Sequence, residues 1–248
     1  MGFQQSSLER SRHSASIARM TAHFESVHNA ALYPDAFDVA APTQAFERDV
    51  WPRKAGVFIR NAVATSLPAA PIDDATPALP LQREMGYGQF GLVPPWVKSA
   101  SDAKLRSTKL INARSETVTT SNNFRDAWLN GQRCIVPIMA FFEDDWRSGK
   151  AVPTRVARVD GKPMGVAGLW ERWEKEGVEI VSFTLLTVNA NSHALLHRYQ
   201  QNGNEKRMPA ILGEGAYAAW LNTRPEKARE FMRAYPANLL TANPVEKK

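Results

Sequence analysis

The sequence is poor in cysteine and has no long apolar run. Cys134 is the single cysteine among 248 residues, which excludes an internal disulfide and a zinc site built on several thiolates. No stretch of about 18 apolar residues occurs, and the first 20 residues are rich in Ser and Arg without an apolar segment. We therefore expect no membrane span, no secretory signal and no metal ion, and we predict a cytoplasmic protein.

Glycine-rich phosphate loops are also absent. Neither a G-x-x-x-x-G-K nor a G-x-G-x-x-G pattern occurs, so the sequence gives no sign of a nucleotide cofactor. The chain contains 44% hydrophobic and 23% charged residues, a composition typical of a folded globular protein. The net charge of +6 favours an anionic partner such as a nucleic acid, although a solvated cationic surface explains the charge equally well.

The N-terminal third of the chain contains three segments with little strand character. Residues 1–14 are polar without helical or strand periodicity, which predicts a mobile tail. From Ser16, apolar residues recur at three- and four-residue spacings, which predicts an amphipathic helix that ends at Tyr33-Pro34. Closely spaced prolines predict a loop over about residues 62–82. We predict one domain over residues 15–248.

The middle of the chain is predicted to be rich in short strands separated by turns that contain glycine. The predicted strands cover residues 56–60, 85–93, 132–142, 154–159, 164–170 and 180–188. The predicted helices cover residues 122–129, 192–199, 216–221 and 225–234. Because hairpin turns outnumber crossover helices, the sequence predicts an α+β fold with a mainly antiparallel sheet.

The first polar cluster is the segment LINARSET, residues 110–117. On a strand, Asn112 and Arg114 lie on the same face. An Asn orients a substrate oxygen and an Arg binds a phosphate through two hydrogen bonds, so the pair suits a phosphodiester substrate. The alternative is a turn Asn beside a surface ion pair between Arg114 and Glu116.

The second cluster is the segment CIVPIMAFFEDDW, residues 134–146. Glu143 follows nine mostly apolar residues, and if it closes a buried strand, desolvation raises its pKa into the range of a general acid or base. An exposed carboxylate in the run Glu143-Asp144-Asp145 is the alternative. Cys134 lies among apolar neighbours and is predicted to be an inert core thiol rather than a nucleophile.

The third cluster contains His193 and His197. Their spacing would place both on one helix face, but no H-E-x-x-H glutamate lies between them, so a zinc site is not expected. The nearby cations Arg198, Lys206 and Arg207 would lower the pKa of an imidazole and leave it neutral for proton transfer. A helix-surface histidine without a role is the alternative.

Seven motifs follow one another along the chain: APTQ, GLVPPW, LINARSET, RCIVPIMAFFE, AGLWERW, FTLLTVNAN with a following His, and RMPAIL. Taken in this order, they resemble the SOS-response-associated peptidase (SRAP) family of abasic site processing proteins. The resemblance spans about Phe37 to Val245. It implies an α+β fold with a barrel-like β core and flanking helices, single-stranded DNA with abasic sites as the partner, and covalent capture of those sites by an N-terminal Cys.

The resemblance implies site residues position by position. Asn112, Glu143 and His197 match the active-site Asn, Glu and His. His193 is the reserve candidate, because nine residues separate His197 from Arg207, more than the family spacing.

DNA contacts and setting are implied in the same way. Arg114, Arg207 and Arg198 are expected to contact phosphates, and Trp96 resembles the stacking residue that meets bases at a strand junction. We expect a monomer without a cofactor, in the cytoplasm, associated with the nucleoid if the source is bacterial, and acting in the DNA damage (SOS) response.

The start of the chain departs from the family pattern, because Met1-Gly2 stands where the family has Met-Cys. An α-amine attacks the abasic aldehyde to give an imine, and an adjacent thiol closes that imine to a stable thiazolidine. Without the thiol, the Gly2 amine, with a reference pKa of about 7.7–8.0, is expected to form only a reversible imine. The predicted activity is an abasic-site lyase or an autopeptidase. The alternative is a degenerate module that only binds single-stranded DNA.

Overall fold

The computed structural model of the chain describes residues 21–62, 82–201 and 203–245. The predicted tail over residues 1–14 and the start of the predicted N-terminal helix lie outside these ranges, and so does nearly all of the predicted loop over residues 62–82. No helix among the described residues is long and apolar enough to cross a membrane.

Strands outnumber helices along the described residues. The strands are β1 (Phe24–Ser26), β2 (Asp49–Val50), β3 (Ala55–Asn61), β4 (Arg83–Phe90), β5 (Asn112–Arg114), β6 (Arg133–Asp145), β7 (Val152–Arg158), β8 (Met164–Lys175), β9 (Val178–Asn189), β10 (Arg207–Pro209), β11 (Ile211–Leu212) and β12 (Leu240–Pro244). The α-helices are α1 (Leu32–Phe37), α2 (Ala100–Ser107), α3 (Arg125–Leu129) and α4 (Tyr217–Asn222).

Five of the strands close into a barrel. The order around the ring is β3, β4, β9, β8 and β6, and β6 pairs again with β3. All of these pairs are antiparallel except β4 with β9. The rings of Phe58, Phe90 and Phe183 pack together in the core at centroid distances of 5.6–5.7 Å. The predicted α+β fold with a barrel-like, mainly antiparallel core and flanking helices is confirmed.

The turn between β8 and β9 shows how the sequence sets the pairing of neighbouring strands. Glu176 and Gly177 both have positive φ, 53° and 74°, as a two-residue hairpin turn requires. The predicted strand over residues 164–170 continues to Lys175, because this turn keeps β8 and β9 in register as far as Lys175 opposite Val178.

The predicted N-terminal helix is wrong over its described part. Phe24–Ser26 form β1, with Phe24 opposite Val50 on one side and Phe141 on the other. Three- and four-residue spacing of apolar residues also fits a short strand followed by a loop, and pairing with β6 decides the outcome. Tyr33-Pro34 does not end a helix, since both residues lie in the first turn of α1, where a proline is tolerated.

The predicted helix over residues 192–199 is reduced to one 3₁₀ turn at Leu196–Arg198. The His193 Nδ1 accepts hydrogen bonds from the backbone N–H groups of Leu195 and Leu196, at 3.2 and 3.0 Å, and so replaces helical partners. The predicted helix at 225–234 likewise shortens to a 3₁₀ segment at Ala228–Phe231.

Two short strands flank the C-terminal half of β9 and position polar residues at one end of the barrel. β5 runs parallel to β9, with Arg114 opposite Thr187. β10 runs antiparallel to β9, with Arg207 opposite Asn189. Polar side chains that are far apart in the sequence therefore meet along one strand.

Candidate active site

Two polar side chains from distant parts of the sequence meet at Thr21, which precedes β1. Glu143 of β6 is 5% exposed. Its Oε1 accepts a hydrogen bond from the Thr21 backbone N–H at 3.0 Å, and the Thr21 hydroxyl donates to the same oxygen. Asn112 of β5 donates from Nδ2 to the Thr21 carbonyl oxygen at 3.2 Å. The structure thus brings Asn112 and Glu143 together around one buried residue.

The environment of Glu143 gives it an unusual acidity. Burial raises its pKa from 4.5 to about 7, and the nearby charge of Asp144 acts in the same direction. Hydrogen bonds from Thr21 and from Gln200 oppose this rise without cancelling it. These partners carry no charge, so among the described residues this buried carboxylate has no hydrogen-bonded cation of the kind that usually stabilises one.

Gln200 connects Glu143 to β10. Its Nε2 donates to Glu143 Oε2 at 3.1 Å and to the Arg207 carbonyl oxygen at 2.9 Å, and its Oε1 accepts from the Arg207 backbone N–H at 3.2 Å. Its own backbone N–H donates to the Asp144 carbonyl oxygen at 2.8 Å. Gln200 also has a φ of 64°, which is unfavourable for a residue with a side chain. The surrounding contacts therefore hold this amide against Glu143.

Neither predicted histidine forms a hydrogen bond with Glu143 in the described part of the chain. The His193 ring is buried and its Nε2 is 2.7 Å from the Tyr235 carbonyl oxygen. The His197 ring is exposed, with Nδ1 at 2.8 Å from the His193 carbonyl oxygen. Both imidazoles thus contact backbone groups, and the amide of Gln200 lies beside the carboxylate.

A second polar group, the arginine–glutamate cluster, contains Arg114, Glu116, Glu205 and Arg207. Arg207 is 1% exposed and contacts Glu116 and Glu205 at 2.7 Å each, together with the hydroxyl and carbonyl oxygens of Thr187. Burial alone would raise the pKa of both glutamates, but the hydrogen bonds and charge of Arg207, aided at Glu205 by Asn189, lower it. Direct phosphate binding by Arg207 would require this cluster to open.

The other predicted DNA contacts lie nearer the surface. The Arg114 side chain is half exposed and pairs with Glu205 at 2.8 Å, not with Glu116. Arg198 is exposed. The indole of Trp96 is partly exposed, donates to the Asn122 carbonyl oxygen at 3.0 Å and lies 4.8 Å from the guanidinium of Arg106. These groups are accessible to a nucleic acid without rearrangement of the core.

A pocket of about 410 Å³ adjoins Glu143 on the side of β1 and β2. The His23 ring in its wall stacks on Trp51 at 4.2 Å and on Phe142 at 4.0 Å, with the three rings nearly parallel. Burial lowers the pKa of His23, against the opposing effect of Asp49 at 3.0 Å. The half-exposed Trp51 therefore presents an aromatic surface close to the buried carboxylate.

The remaining predicted site groups contribute little to this region. Cys134 is fully buried in the barrel and burial raises the pKa of its thiol well above the usual value, which confirms the expected core thiol. Gly2 lies outside the described residues. Within the described ranges, no group of three or more His, Cys, Asp or Glu side chains could hold a metal ion.

Comparison with protein-family models decides the family. The model of the SOS response associated peptidase (SRAP) family matches residues 11–248. The chain belongs to the SRAP family. The motifs from APTQ to RMPAIL lie within the matched region, so the predicted resemblance is confirmed.

Curated relatives of this SRAP protein are named abasic site processing proteins. YoaM of Bacillus subtilis is 32% identical over 168 residues, which is 65% of this chain and 68% of that protein. HMCES of Gallus gallus is 28% identical over 180 residues, 63% of this chain and 51% of that protein. A Bordetella bronchiseptica crystal structure matches with a TM-score of 0.79 and 38% identity, covering 91% of this chain and all of that one.

Thr21, Gln200 and Glu205 are among the residues of this region that escaped prediction. A signal for Thr21 exists, because Met20-Thr21 repeats the Met-Cys pattern of the family with a hydroxyl in place of the thiol. Gln200 and Glu205 lie in a polar loop without periodicity, and only the folded chain shows that they reach Glu143 and Arg207.

Proposed function

We propose that this SRAP protein binds DNA and processes abasic sites at Glu143. The observation that carries the proposal is a buried carboxyl group with a pKa of about 7, hydrogen-bonded to Thr21 beside Asn112. Such a group is present in both protonation states near neutral pH, so it can accept and return protons while an amine attacks an aldehyde. The names of the curated relatives support an abasic site as the substrate.

Unpaired DNA is the proposed form of the substrate. Exposed Arg198 and half-exposed Arg114 suit phosphate contacts, and the indoles of Trp51 and Trp96 suit stacking with bases whose faces are free. The proposed setting is the DNA damage (SOS) response, with the protein acting in the cytoplasm as a monomer.

A borohydride trapping experiment tests the chemistry. The purified protein is incubated with a single-stranded oligonucleotide that carries one abasic site, and imine adducts are reduced and counted along with strand scission. We expect Glu143→Gln to lower the rate of adduct formation roughly 100-fold, the usual range for loss of an acid–base group. Glu171→Gln is the matched control, because Glu171 is also a buried glutamate with a raised pKa but lies on β8 and contacts Gln132.

Two results would contradict the proposal. The first is the absence of both adduct and scission with the wild-type protein. The second is an equal loss with Glu143→Gln and Glu171→Gln, which would indicate a general effect of removing a buried charge.

The second candidate function is a DNA-binding module without covalent chemistry. Its supporting observation is that Thr21, not a cysteine, contacts Glu143, while the thiol of Cys134 is fully buried. In that case binding of the protein releases counterions from the single-stranded DNA, so the affinity falls as the salt concentration rises. Borohydride then traps no adduct. Binding that does not depend on salt would count against both functions.

A further inference from the structure

Three aromatic rings form a column in the wall of the pocket beside Glu143. The His23 ring stacks on Phe142 at 4.0 Å with 8° between the ring planes, and Trp51 stacks on the other face of His23 at 4.2 Å and 10°. Trp51 is 51% exposed, and among the described residues no further ring or guanidinium contacts its indole. Another planar group can therefore extend the column at the outer face of the indole.

A tight turn holds Trp51 at the end of this column. The Lys54 backbone N–H donates to the Trp51 carbonyl oxygen at 2.9 Å, which closes a four-residue turn with Pro52 at its second position. Arg53, at the third position, has a φ of 69°, and its backbone N–H donates to the Phe90 carbonyl oxygen at 2.7 Å. This position of a type II turn favours glycine, so the arginine keeps its side chain there at a cost in backbone strain.

The charges around the column distinguish a base from a phosphate. Among the described residues that line it, the pocket has the carboxyl groups of Glu143 and Asp144 and no lysine or arginine. Asp49 adds a third carboxyl group at 3.0 Å from the His23 ring. These groups repel a phosphate, whereas a neutral nucleobase stacks on an indole. Arg53 is exposed and forms no ion pair with the described residues, so it is free to contact a phosphate outside the pocket.

We propose that the column and the Trp51–Lys54 turn form a subsite for the nucleotide next to the abasic site. An abasic residue has no base to stack, so the flanking base is the nearest planar group by which the protein can hold it. That base stacks on the outer face of Trp51, and its phosphate contacts Arg53. The turn lies between the motifs APTQ and GLVPPW and belongs to neither. The subsite rests on the proposed function, since it requires an unpaired strand as the ligand.

Fluorescence of a base analogue tests the stacking. 2-Aminopurine is placed on the 5′ or the 3′ side of a tetrahydrofuran residue, a stable abasic analogue, in a single-stranded oligonucleotide. We expect binding to quench the analogue on one side, because stacking on an indole quenches its emission. Trp51→Ala should abolish the quenching and lower the affinity roughly 10-fold, while Trp51→Phe, which keeps a ring, should retain part of both.

A matched control guards against a general loss of apolar surface. Leu129→Ala should leave quenching and affinity unchanged, because Leu129 is also half exposed and apolar but lies at the end of α3. Circular dichroism is recorded for each variant, so that an unfolded protein is recognised. The proposal is overturned if binding quenches the analogue on neither side, or if the quenching persists in folded Trp51→Ala protein.

Arg53→Gly tests the phosphate contact without disturbing the turn. Glycine suits a φ of 69°, so the variant should be at least as stable as the wild type while lacking the charge. We expect the slope of log affinity against log salt to fall by about one. Arg172→Gln removes an exposed arginine that pairs with two glutamates, and it should keep the wild-type slope. Equal slopes for Arg53→Gly and the wild type would refute the assignment of Arg53.

Borohydride trapping with a natural abasic site separates the subsite from the proposed function. Trp51→Ala should raise the DNA concentration that gives half the maximal rate of adduct formation roughly 10-fold. Adducts whose dependence on DNA concentration is the same in Trp51→Ala and wild type refute the subsite and leave abasic site processing standing. Quenching that depends on Trp51, without any adduct, refutes abasic site processing and leaves the subsite standing in a DNA-binding module.

Discussion

Glu143 and Glu116 are the same residue type in the same protein, yet their pKa values shift in opposite directions. Both are affected by burial, which raises the pKa of a carboxyl group. Glu116 contacts the guanidinium of Arg207 at 2.7 Å, and that contact lowers its pKa. Glu143 has only neutral hydrogen-bond partners among the described residues, and its pKa rises to about 7. Glu143 is buried among neutral partners, whereas Glu116 is half exposed and contacts a cation, so burial and the charge of the partner together decide which carboxylate stays ionised and which can exchange protons.

Replacing Arg207 by Met should produce the largest loss of stability. The change removes the charge that compensates Glu116 and Glu205, and it removes the guanidinium donors to the hydroxyl and carbonyl oxygens of Thr187. We expect the free energy of unfolding to fall by about 3 kcal/mol, as when one partner of a buried ion pair is removed. Urea denaturation measures the effect.

Arg172→Met provides the control for this change. Arg172 pairs with Glu174 and Glu179 on an exposed hairpin, so its loss should cost less than about 1 kcal/mol. Equal losses from the two variants would show that Arg207 is no more important than a surface arginine.

Replacing Glu143 by Gln should stabilise the protein at high pH. The folded-state pKa of Glu143 is raised to about 7 from 4.5, so the folded protein binds this proton more tightly, and wild-type stability declines as pH rises from 4.5 through 7. Gln carries no charge, and above pH 8 the variant should be more stable by on the order of 3 kcal/mol. Its advantage should shrink toward pH 4.5. Denaturation curves across this range measure the difference.

Other titratable groups lie near Glu143 and could also make stability depend on pH, so Glu143→Gln is compared with a second variant, Glu116→Gln. His23 and Asp144 line the adjoining pocket, while β7 contributes Thr154 and Pro153, which do not titrate. Glu116→Gln should show the opposite sign, because the pKa of Glu116 is lowered: its stability loss should be present near neutral pH and vanish in acid. If the stability difference from wild type changed with pH in the same direction for both variants, the opposite pKa shifts of Glu143 and Glu116 would be contradicted.

Gln200→Ala tests the link between the two regions. The variant loses a donor to Glu143 and the two hydrogen bonds to the Arg207 backbone, and Ala is itself unfavourable at a φ of 64°. We expect a loss of about 1–3 kcal/mol and a further rise in the pKa of Glu143. The pH dependence of adduct formation should shift upward with it. Exposed Gln201→Ala is the control, and a pH profile unchanged by Gln200→Ala would show that this amide only supports the backbone.

Arg114→Ala should have the smallest effect on stability and a clear effect on DNA binding. Its half-exposed ion pair with Glu205 contributes less than about 1 kcal/mol. If Arg114 contacts a phosphate, the slope of log affinity against log salt should fall by about one, and affinity should drop similarly for different base sequences. A fluorescence-anisotropy titration at several salt concentrations measures the slope. An unchanged slope would show that bound DNA makes no phosphate contact with Arg114.

The barrel strands could be predicted from the sequence because their patterns involve neighbouring residues. Apolar alternation and the Glu176-Gly177 turn are properties of neighbouring residues, and they predict β8 and β9 well. β1 was missed because Phe24 owes its strand conformation to partners at Val50 and Phe141, which no local pattern contains. The short β12 depends in the same way on pairing with β7.

The candidate site could be predicted only in part, because some of its contacts join residues that no local pattern connects. Glu143 stands out because a carboxylate after a long apolar run predicts burial. His197, with His193 in reserve, was expected from the family resemblance, and a resemblance does not show that the His193 ring accepts hydrogen bonds from the backbone N–H groups of Leu195 and Leu196. Gln200, an amide in a loop, has no feature in the sequence that distinguishes it from Gln201.

The single parallel pair in the barrel sets the order in which the protein can be completed during synthesis. β4 and β9 meet at Gln89–Ser182 and Phe90–Phe183, positions more than 90 residues apart. The barrel therefore cannot close until most of the chain has left the ribosome. Until then, the β3–β4 hairpin keeps the edge of β4 that later pairs with β9 without a partner strand. Contacts of such long sequence separation slow folding and prolong the time in which aggregation competes with it.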